Sequence, residues 1–519
     1  MGIERPRRHS SATFGLVALL VLAASCSSQP STSPSSPSPS IPANLAGSVP
    51  PGAPLEDIQY FNEWPSPNDG LYNTREASSS ISAANVANLK VAWTLPLTGS
   101  GANGRVVANP VIANGIVYVQ DGASNVMAVN LMTGKVLWSH SYNSSDYGPN
   151  GVTLAYGRVY GVTAKGVFAL DAKTGHQVWY VSDFSGANFD IAPQVANNKV
   201  FVASALTAGG GLVYALDAAT GATDWSFQTV ADKTGQQLKS TAGGAWDPLL
   251  VSPDGSVYAG TGNPYLSQQQ AESNPSRELY TDSLVKLSQS TGRLEWFYQA
   301  FPDDFHDWDL QVSPILTSIG ERSLVLAAGK GGFVFAFDPA SGDLVWKTAV
   351  GAHNGHDQDD ELALEGKLQL PTPYTLLPGA VGGVETNMAV AGGVAYVPVV
   401  DLGTTFSQPT VVVGTIGNLL QAPGEMVALD VATGKQLWTS KLTQMPLGGA
   451  TVAGDLVFTT TFTGEIVALS RTTGAVVWTS MLPAGSNSTL AIAGDTVIAG
   501  AGLPLGSTER PAVVAYRLG

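Results

Sequence analysis

The sequence is poor in cysteine and in charge. Cys26 is the single cysteine among 519 residues, and charged residues make up only 13% of the chain. One cysteine excludes an internal disulfide and a Cys-x-x-Cys-His motif, so no covalently attached c-type haem is expected. The formal net charge of −15 argues against nucleic acid as a partner, because phosphates need a basic surface.

The sequence also has no apolar run long enough to form a permanent membrane-spanning helix. Its N-terminal apolar run extends from Phe14 to Ala24, follows three arginines and is closed by Cys26. This pattern predicts a targeting segment over residues 1–26. The ending Leu-Ala-Ala-Ser-Cys resembles a bacterial lipobox, in which Cys26 is lipidated; the alternative is an ordinary signal peptide with an incidental cysteine.

Residues 27–54 are rich in serine and proline and almost uncharged, which predicts a disordered tether. The folded domain is expected over residues 55–519. Together these segments predict a domain held on the extracytoplasmic face of the cell membrane by a lipid anchor.

Several catalytic motifs are missing. The chain has no Gly-x-Ser-x-Gly phrase, no phosphate-binding P-loop and no His/Cys cluster with zinc spacing. Hydrolase and nucleotide-binding functions therefore have no candidate site.

What the sequence does contain is a repeat that ends in tryptophan. Its clearest copy runs from Ala169 to Trp179, with an aspartate, then Thr-Gly, then three residues before the tryptophan. The aspartate and glycine predict a turn between two short apolar strands. The repeat tryptophans are Trp93, Trp138, Trp179, Trp225, Trp296, Trp346, Trp438 and Trp478.

Most of the spacings between these tryptophans fit one four-stranded blade. A single unit cannot cover both faces of its sheet, so the units must pack on each other, with each tryptophan wedged between neighbouring sheets. The sequence therefore predicts an all-β, eight-bladed propeller of four-stranded antiparallel blades. An open array of β-sandwiches fits the regular register of the tryptophans less well.

An acidic stretch is the first candidate for chemistry. Asp303, Asp304, Asp307 and Asp309 place four carboxylates within seven residues, where repulsion favours either full solvation or a bound cation. If residues 307–309 are extended, Asp307 and Asp309 point to one face and suit calcium or a similar cation. The alternative is a solvated acidic loop.

Three further residues each allow two interpretations. Trp246 is out of register with the repeat tryptophans, and its ring suits either stacking on a flat conjugated ligand or core packing. Asn263 precedes a proline, so it either forms a turn or offers an amide oxygen to a hard cation. Lys330 lies between glycines and is either a ligand contact or a simple loop residue. A separate charged stretch, residues 353–361, is expected to be a surface loop, and the alternative is a metal site.

A family resemblance covers roughly residues 60–519. The opening Trp-Pro…Asn-Thr-Arg of residues 64–75, the repeats, and the ordered phrases Gly-Gly-Ala-Trp-Asp, Gly-Thr-Gly-Asn-Pro, His-Asp-Trp-Asp and Gly-Lys-Gly-Gly resemble the quinoprotein alcohol dehydrogenases. Members of that family are eight-bladed propellers that hold pyrroloquinoline quinone (PQQ) and a metal ion on the axis. In such propellers the last strand, here residues 512–516, completes the same blade as the first.

The resemblance implies a role for each candidate. Asp307 corresponds to the catalytic base, and Trp246 and Lys330 correspond to cofactor-binding residues. Asn263 and Asp309 correspond to metal ligands, for Ca²⁺ or a lanthanide. It also implies a small-molecule alcohol as substrate and a separate electron acceptor, either a cytochrome or the quinone pool.

The sequence departs from the family at three positions. The metal-binding glutamate is missing, and its nearest equivalent is Ala208. The adjacent cysteine pair that covers the quinone cannot form, and the arginine after that pair is replaced near Asn150. Glu385 falls where the family places a polar residue facing the pocket.

Two functions from different classes follow. The first is a PQQ-dependent dehydrogenase that oxidises an alcohol outside the cytoplasm. The second is a non-catalytic, lipid-anchored propeller that acts as a binding or assembly scaffold in the cell envelope, because a fold alone does not decide function.

Overall fold

Eight blades make up most of the described residues; seven are four-stranded sheets, and one carries a fifth strand added in parallel. The computed structural model describes residues 52–184, 187–205, 210–238, 242–273 and 278–519. The predicted targeting segment, the lipidation site at Cys26, residues 27–51 of the predicted tether and Ala208 lie outside the described residues.

The chain enters through a short helix and two strands before the first complete blade. These elements are α1 (Leu55–Gln59), β1 (Glu76–Ala77), a 3₁₀ turn (Val86–Asn88) and β2 (Leu89–Pro96).

The first four blades follow in chain order, each an antiparallel sheet. Blade 1 contains β3 (Val111–Ala113), β4 (Ile116–Gln120), β5 (Val126–Asn130) and β6 (Val136–His140). Blade 2 contains β7 (Val152–Ala155), β8 (Arg158–Thr163), β9 (Gly166–Asp171) and β10 (Gln177–Val181). Blade 3 contains β11 (Gln194–Ala196), β12 (Lys199–Ala203), β13 (Leu212–Asp217) and β14 (Thr223–Gln228). Blade 4 contains β15 (Leu250–Val251), β16 (Ser256–Gly260), α2 (Gln268–Ser273), β17 (Ser283–Ser288) and β18 (Leu294–Gln299).

The next two blades carry additional elements. Blade 5 contains β19 (Ile315–Ile319), β20 (Arg322–Ala328), β21 (Phe333–Phe337) and β22 (Leu344–Ala349), and is followed by α3 (Asp359–Leu364) and β23 (Tyr374–Leu376). Blade 6 contains β24 (Ala389–Ala391), β25 (Val394–Val400), β28 (Gly424–Asp430) and β29 (Gln436–Leu442). Between β25 and β28 lie β26 (Thr404–Phe406), β27 (Thr415–Ile416) and a 3₁₀ turn (Leu419–Gln421). Strands β23, β26 and β27 form a separate three-stranded sheet, which we call the cap sheet.

The last blade joins the two ends of the domain. Blade 7 contains β30 (Thr451–Ala453), β31 (Leu456–Thr460), β32 (Glu465–Ser470) and β33 (Val476–Met481), with β1 added in parallel to β30. Blade 8 contains β34 (Ala491–Ala493), β35 (Thr496–Ala501) and β36 (Ala512–Leu518), and its fourth strand is β2. The prediction that the final strand completes the first strand's blade is confirmed, as is the eight-bladed all-β fold.

Seven of the eight repeat tryptophans dock on the turn of the next blade. The indole of Trp138 donates a hydrogen bond to the Ala172 carbonyl at 3.0 Å, and its ring lies against Gly175. Asp171 shapes that turn, since its carboxylate accepts from the hydroxyl and the backbone N–H of Thr174 at 2.8 and 2.9 Å. Among the described residues this contact recurs at seven of the eight junctions. At the eighth, Trp478 meets the Tyr516 ring, because blade 8 has no Thr-Gly turn.

A segment before β2 runs across the propeller axis and bonds to the innermost strand region of every blade. We call residues 64–80 the axial segment. Trp64 pairs with Ile112 of blade 1, and Asn73 accepts from Gln194 of blade 3 and donates to the Leu249 carbonyl of blade 4. The remaining blades are bonded through Leu154, Leu316, Val390, Val452 and Gly494.

Arg75 is the most connected residue of the axial segment. It is fully buried and donates to the Ala450 carbonyl at 2.7 Å, to Asn68 Oδ1 at 2.7 Å and to the Leu490 carbonyl at 2.9 Å. These bonds tie blades 7 and 8 to the axis. Because a buried guanidinium is costly unless its donors are paired, the arginine fixes this arrangement of carbonyls around it.

One inserted stretch differs from expectation. Residues 353–361 were expected to be a surface loop, but Asp359 and Asp360 are buried at the start of α3. The prediction is wrong there because α3 packs against α2 and against the loop that carries the acidic stretch: His306 in that loop lies 3.6 Å from Asp359.

No helix among the described residues is long and apolar enough to span a membrane.

The docking of tryptophan on glycine can be tested at Gly175. Its φ is +71°, and a Cβ there would lie 2.5 Å from Trp138, so Gly175→Ala adds both backbone strain and a clash. Gly157 has φ +70° with nothing within 4 Å, so Gly157→Ala adds only the strain. We expect Gly157→Ala to cost about 1–2 kcal/mol of unfolding free energy, and Gly175→Ala to cost about 1–3 kcal/mol more. Denaturant unfolding measures both; equal losses would contradict the docking role.

Candidate functional site on the propeller axis

A cavity of about 620 Å³ lies on the axis at the N-terminal ends of the innermost strands. The axial segment bonds to the same strands further along, so it forms the floor beneath the cavity. Residues that precede an innermost strand supply much of the wall, and they come from nearly every blade. They are Asn109, Asp247, Gln311, Asn387 and Thr489.

The acidic stretch reaches this cavity in an unexpected backbone conformation. Asp307 is in the left-handed region with φ +65°, so the expected extended conformation is wrong. Asp304 causes this turn, because its carboxylate accepts from the backbone N–H groups of His306 and Trp308, both at 2.8 Å. Trp308 points into the core and is fully buried. Since Asp303, Asp304 and Asp309 are also buried, the stretch is not a solvated acidic loop.

Asp307 and Asp309 nevertheless converge, and Lys330 lies between them. The Lys330 ammonium is 3.4 Å from Asp307 Oδ2 and 2.5 Å from Asp309 Oδ2. Lys330 lies two residues after the end of β20, and its backbone N–H donates to the Asp309 carbonyl at 3.0 Å, which fixes the register of the two loops. The sequence-predicted base and second acid therefore share one cation.

Asn263 joins this group through both its backbone and its side chain. Its N–H donates to Asp309 Oδ1 at 2.7 Å, and its amide Nδ2 donates to Asp307 Oδ1 at 2.5 Å. The Oδ1 atom of Asn263 is buried and has no hydrogen-bond partner. A buried amide oxygen without a partner is costly, so this atom marks a place for a ligand.

Trp246 lies in the cavity wall beside Asp309 rather than in the repeat register. A Cβ on Gly262 would lie 2.8 Å from Asp309 Oδ1 and 3.1 Å from Trp246 Nε1, so glycine allows the two side chains to approach. The Trp246 Nε1 is buried without a partner. The indole thus borders the cavity with part of its surface exposed.

Carboxyl groups outnumber cations around the cavity. Burial raises the pKa of Asp307 to about 8, against the opposing charge of Lys330, and raises the pKa values of Glu385 and Asp247 to about 7. Burial alone would lower the pKa of Lys330, but Asp307, Asp309 and Glu385 raise it well above its ordinary value. The site therefore holds a stable ammonium paired with Asp307 and Asp309, and two further carboxyl groups, Glu385 and Asp247, for which the described residues provide no ion pair.

These residues fit a hard cation. The Asn263 oxygen without a partner and the adjacent carboxylates of Asp307 and Asp309 are donors of the kind that Ca²⁺ and lanthanides prefer. The surplus of carboxyl groups also favours added positive charge. Among the described residues, no three His, Cys, Asp or Glu side chains are grouped closely enough to hold a metal, so a metal at this place would also need the amide oxygen of Asn263.

The cavity also fits a flat, polar cofactor. Its volume is in the usual range for such ligands, Trp246 offers an aromatic face, and Lys330 offers a cation beside the base. Glu385 and Asn387 each present a buried side-chain oxygen without a partner. Asn150 is fully buried and donates to the Asp121 carbonyl at 3.0 Å, so no charge replaces the arginine expected there.

Sequence reasoning missed part of the polar ring around the axis. Asn109, Asn387 and Thr489 line the cavity, and each lies two positions before the innermost strand of its blade. A polar residue two positions before a short apolar strand could have indicated these cavity residues. Using this pattern requires that the innermost strand of each blade is located first.

The geometry defines an eight-bladed propeller with an acid–lysine pair in an axial cavity. Residues 185–361 match the family described as "Glucose/ethanol/alcohol dehydrogenase, beta-propeller domain". Residues 53–151 and 384–515 match "Outer membrane protein assembly factor BamB".

Individual proteins that are similar to this chain have names that match the first of these family descriptions. The quinohemoprotein alcohol dehydrogenase of Comamonas testosteroni is 29% identical over 326 residues, which cover 54% of this chain and 46% of the relative. The dehydrogenase subunit of the alcohol dehydrogenase (quinone) of Gluconacetobacter polyoxogenes is 30% identical over 387 residues, covering 61% and 51%. The chain thus spans about half the length of these relatives.

A solved structure shows the same fold. The Comamonas testosteroni enzyme superimposes with a TM-score of 0.76 at 23% identity, covering 88% of this chain and 81% of the other. The chain is thus similar in sequence to quinoprotein alcohol dehydrogenases, and its fold is that of their propeller.

The raised pKa values predict how stability depends on pH. Glu385 and Asp247 bind protons in the folded protein at pH values where the unfolded chain has released them. Their contribution to the stability of the metal-free protein is therefore fully present below the pKa of carboxyl groups in the unfolded chain, about 4, and declines as pH rises through about 7. Each such group contributes a slope of at most about 1.4 kcal/mol per pH unit.

Glu385→Gln should make that decline shallower between pH 5 and 7.5, measured by denaturant unfolding at each pH. Glu321→Gln is the matched control, because Glu321 is exposed and lies away from the cavity. If both variants show the same dependence of unfolding free energy on pH as the unmodified chain, burial does not raise the pKa of Glu385.

Proposed function

We propose that this chain is a PQQ-dependent dehydrogenase that oxidises the hydroxyl group of an alcohol. Asp307, Lys330 and Trp246 line one axial cavity, and Asn263 donates a hydrogen bond to Asp307. This meeting supports the proposal most, because the four residues come from four separate loops. A propeller that serves only as a scaffold has no need of a buried acid–lysine pair at this place.

The roles of the residues follow from their contacts. Asp307 is the general base: its carboxylate takes the proton of the substrate hydroxyl. Asn263 holds Oδ1 of this carboxylate and Lys330 faces Oδ2, so the base is fixed between two donors. PQQ, when bound, supplies the acceptor for the carbon-bound hydrogen and two electrons.

A cation held by Asn263, Asp307 and Asp309 would also change the pKa of the base. Asp307 must be ionised to accept a proton, and without added charge its pKa is raised by burial to about 8. A positive ion beside it stabilises the carboxylate and lowers that pKa, which allows the base to act near neutral pH. Ca²⁺ and a lanthanide both meet this requirement.

The remaining parts of the proposal concern location and electron flow. We infer that Cys26 is lipidated and that the domain is held at the extracytoplasmic face of the membrane, on the support of the apolar run before this cysteine. The electrons then pass to a separate acceptor, a cytochrome or a membrane quinone, because the single cysteine allows no attached c-type haem.

A second candidate function is a non-catalytic scaffold in the cell envelope. The match of residues 53–151 and 384–515 to an assembly-factor family favours it, as does the absence of a charged residue at Asn150. This alternative predicts that the cavity binds neither PQQ nor alcohol.

The proposed base is tested by Asp307→Asn in protein loaded with PQQ and Ca²⁺ or La³⁺, with alcohol oxidation followed by reduction of an artificial dye. We expect kcat to fall by a factor of about 10²–10⁴, the usual contribution of a general base, while PQQ still binds. Asp343→Asn, at an exposed turn on the outer edge of blade 5, is the control and should retain full turnover. Unchanged turnover in Asp307→Asn would exclude Asp307 as the base.

A further inference from the structure

One side of the axial cavity offers hydrogen-bond acceptors without donors. Residues 385–387, in the segment before β24, all line the cavity. Among the described residues, Glu385 Oε1 is buried without a hydrogen-bond partner, and so is Oδ1 of Asn387, a residue only 4% exposed. Buried acceptors without donors are costly, so a ligand that brings N–H groups is expected beside them.

The other polar atoms of this side are bonded to neutral amides. Gln311 Nε2 donates to Glu385 Oε2 at 3.0 Å, and Asn387 Nδ2 donates to Asp247 Oδ1 at 3.2 Å. An amide orients a carboxyl group but does not neutralise its charge. Glu385 and Asp247 therefore stand ready in the cavity wall as two acids held by uncharged partners.

The one ammonium of the cavity lining is already engaged. Lys330 is the only lysine or arginine among the described lining residues, and it forms ion pairs with Asp307 and Asp309. Burial raises the pKa of Glu385 to about 7, because the opposing charge of Lys330 is the smaller effect. The acceptors at Glu385 and Asn387 are therefore left for a second cation.

The segment that carries Glu385 is fixed against the loop that carries Lys330. The Val384 N–H donates to the Gly329 carbonyl at 3.0 Å, and Gly383 exchanges backbone hydrogen bonds with Val400 at 2.9 and 2.8 Å. A Cβ on Gly383 would clash with the Lys330 carbonyl oxygen, so glycine allows this approach. The acceptors are thus in place before a ligand binds, which lowers the cost of binding.

The proposed base lies within reach of the same acceptors. Asp307 and Glu385 both line the cavity. Burial raises the pKa of Asp307 most, and the charge of Glu385 adds to that rise, so the two carboxyl groups are close enough to interact. One small molecule can therefore place a hydroxyl group at Asp307 and a cationic group at Glu385.

We propose that Glu385, Asp247 and the amide oxygen of Asn387 bind a protonated amino group of the substrate, so that the enzyme prefers amino alcohols to neutral alcohols. This inference rests on the proposed dehydrogenase function. An ammonium group supplies both the charge that the carboxylates lack and the N–H donors that the acceptors lack. A neutral alcohol of the same shape leaves these acceptors without a partner and is discriminated against.

Matched pairs of alcohols test the preference in PQQ-loaded protein. Linear amino alcohols from 2-aminoethanol to 5-amino-1-pentanol are compared with the alcohols in which a methyl group replaces the ammonium, from 1-propanol to 1-hexanol. At about pH 8 an amine is protonated, as a lysine side chain is, and Glu385 is above its raised pKa. At the chain length that spans the two carboxyl groups, kcat/KM should favour the amino alcohol by about 10–100-fold. No preference for the amino alcohol at any length would overturn the inference while the dehydrogenase function stands.

Glu385→Gln tests the charged residue, because it removes the charge and keeps the shape of the side chain. The ratio of kcat/KM for the preferred amino alcohol to that for its neutral counterpart should fall by about 10–100-fold. Glu321→Gln, at an exposed position outside the cavity lining, is the matched control and should keep the ratio of the unmodified protein. Equal ratios in the two variants would overturn the assignment of Glu385.

A binding measurement separates the inference from the proposed reaction. Titration of n-propylammonium into PQQ-free protein, followed by NMR, reports binding without turnover and without reaction of an amine with the quinone. Glu385→Gln should weaken this binding by about tenfold or more, and Glu321→Gln should not change it. If this difference is found but no alcohol is oxidised, the dehydrogenase function fails and the ammonium site stands. If n-propylammonium does not bind, or binds both variants equally, the ammonium site is excluded.

A metal ion is the other cation that these acceptors could hold. Equilibrium dialysis counts the Ca²⁺ ions bound per chain in the unmodified protein and in Glu385→Gln. The inference predicts the same count in both, because an ion beside Asn263 does not use Glu385. Loss of one Ca²⁺ in Glu385→Gln, with no competition by n-propylammonium in the unmodified protein, would assign the acceptors to a metal and overturn the inference.

Discussion

The closure of the axis by one segment is the constraint on which the rest of the structure depends. Residues 64–80 bond to the innermost strand region of all eight blades, and Arg75 alone joins the carbonyls of Ala450 and Leu490. Neighbouring blades also hold each other through tryptophan and glycine, but those contacts lie near the outer edge. The axial segment instead fixes the strands whose N-terminal ends carry the cavity wall, so the positions of Asp247, Gln311 and Asn387 depend on it.

The site built on this frame combines excess acid with one ammonium. Lys330 is held by Asp307 and Asp309, and burial keeps Asp307, Glu385 and Asp247 from ionising readily. Such a site has a low cost for binding positive charge, which is consistent with a metal ion beside the Asn263 oxygen that lacks a partner. Asn150 is neutral where the family pattern has an arginine. Among the described residues that line the cavity, Lys330 is the only lysine or arginine.

The fold could be predicted from the sequence because one repeated motif meets several structural requirements of a blade at once. At Asp171, Thr174 and Gly175 the turn needs a carboxylate acceptor and a positive φ, and the next tryptophan needs a surface without a Cβ. The site was predictable only in part. Asp307 and Asp309 converge through a left-handed turn set by Asp304, not through an extended strand, and that turn depends on buried hydrogen bonds. The cap sheet and α3 pack through contacts between distant segments, which no local pattern predicts.

The most direct test of the account is an equilibrium titration of the metal-stripped domain from about Leu55 with PQQ, in the presence and absence of Ca²⁺ or La³⁺. Tryptophan quenching and the quinone absorbance would be followed together. The account predicts saturable binding of one PQQ per chain that requires the metal ion, and weaker binding in Asn263→Ala. No binding with either ion, or binding that ignores both the ion and Asn263, would contradict the assignment of this cavity as a quinone site.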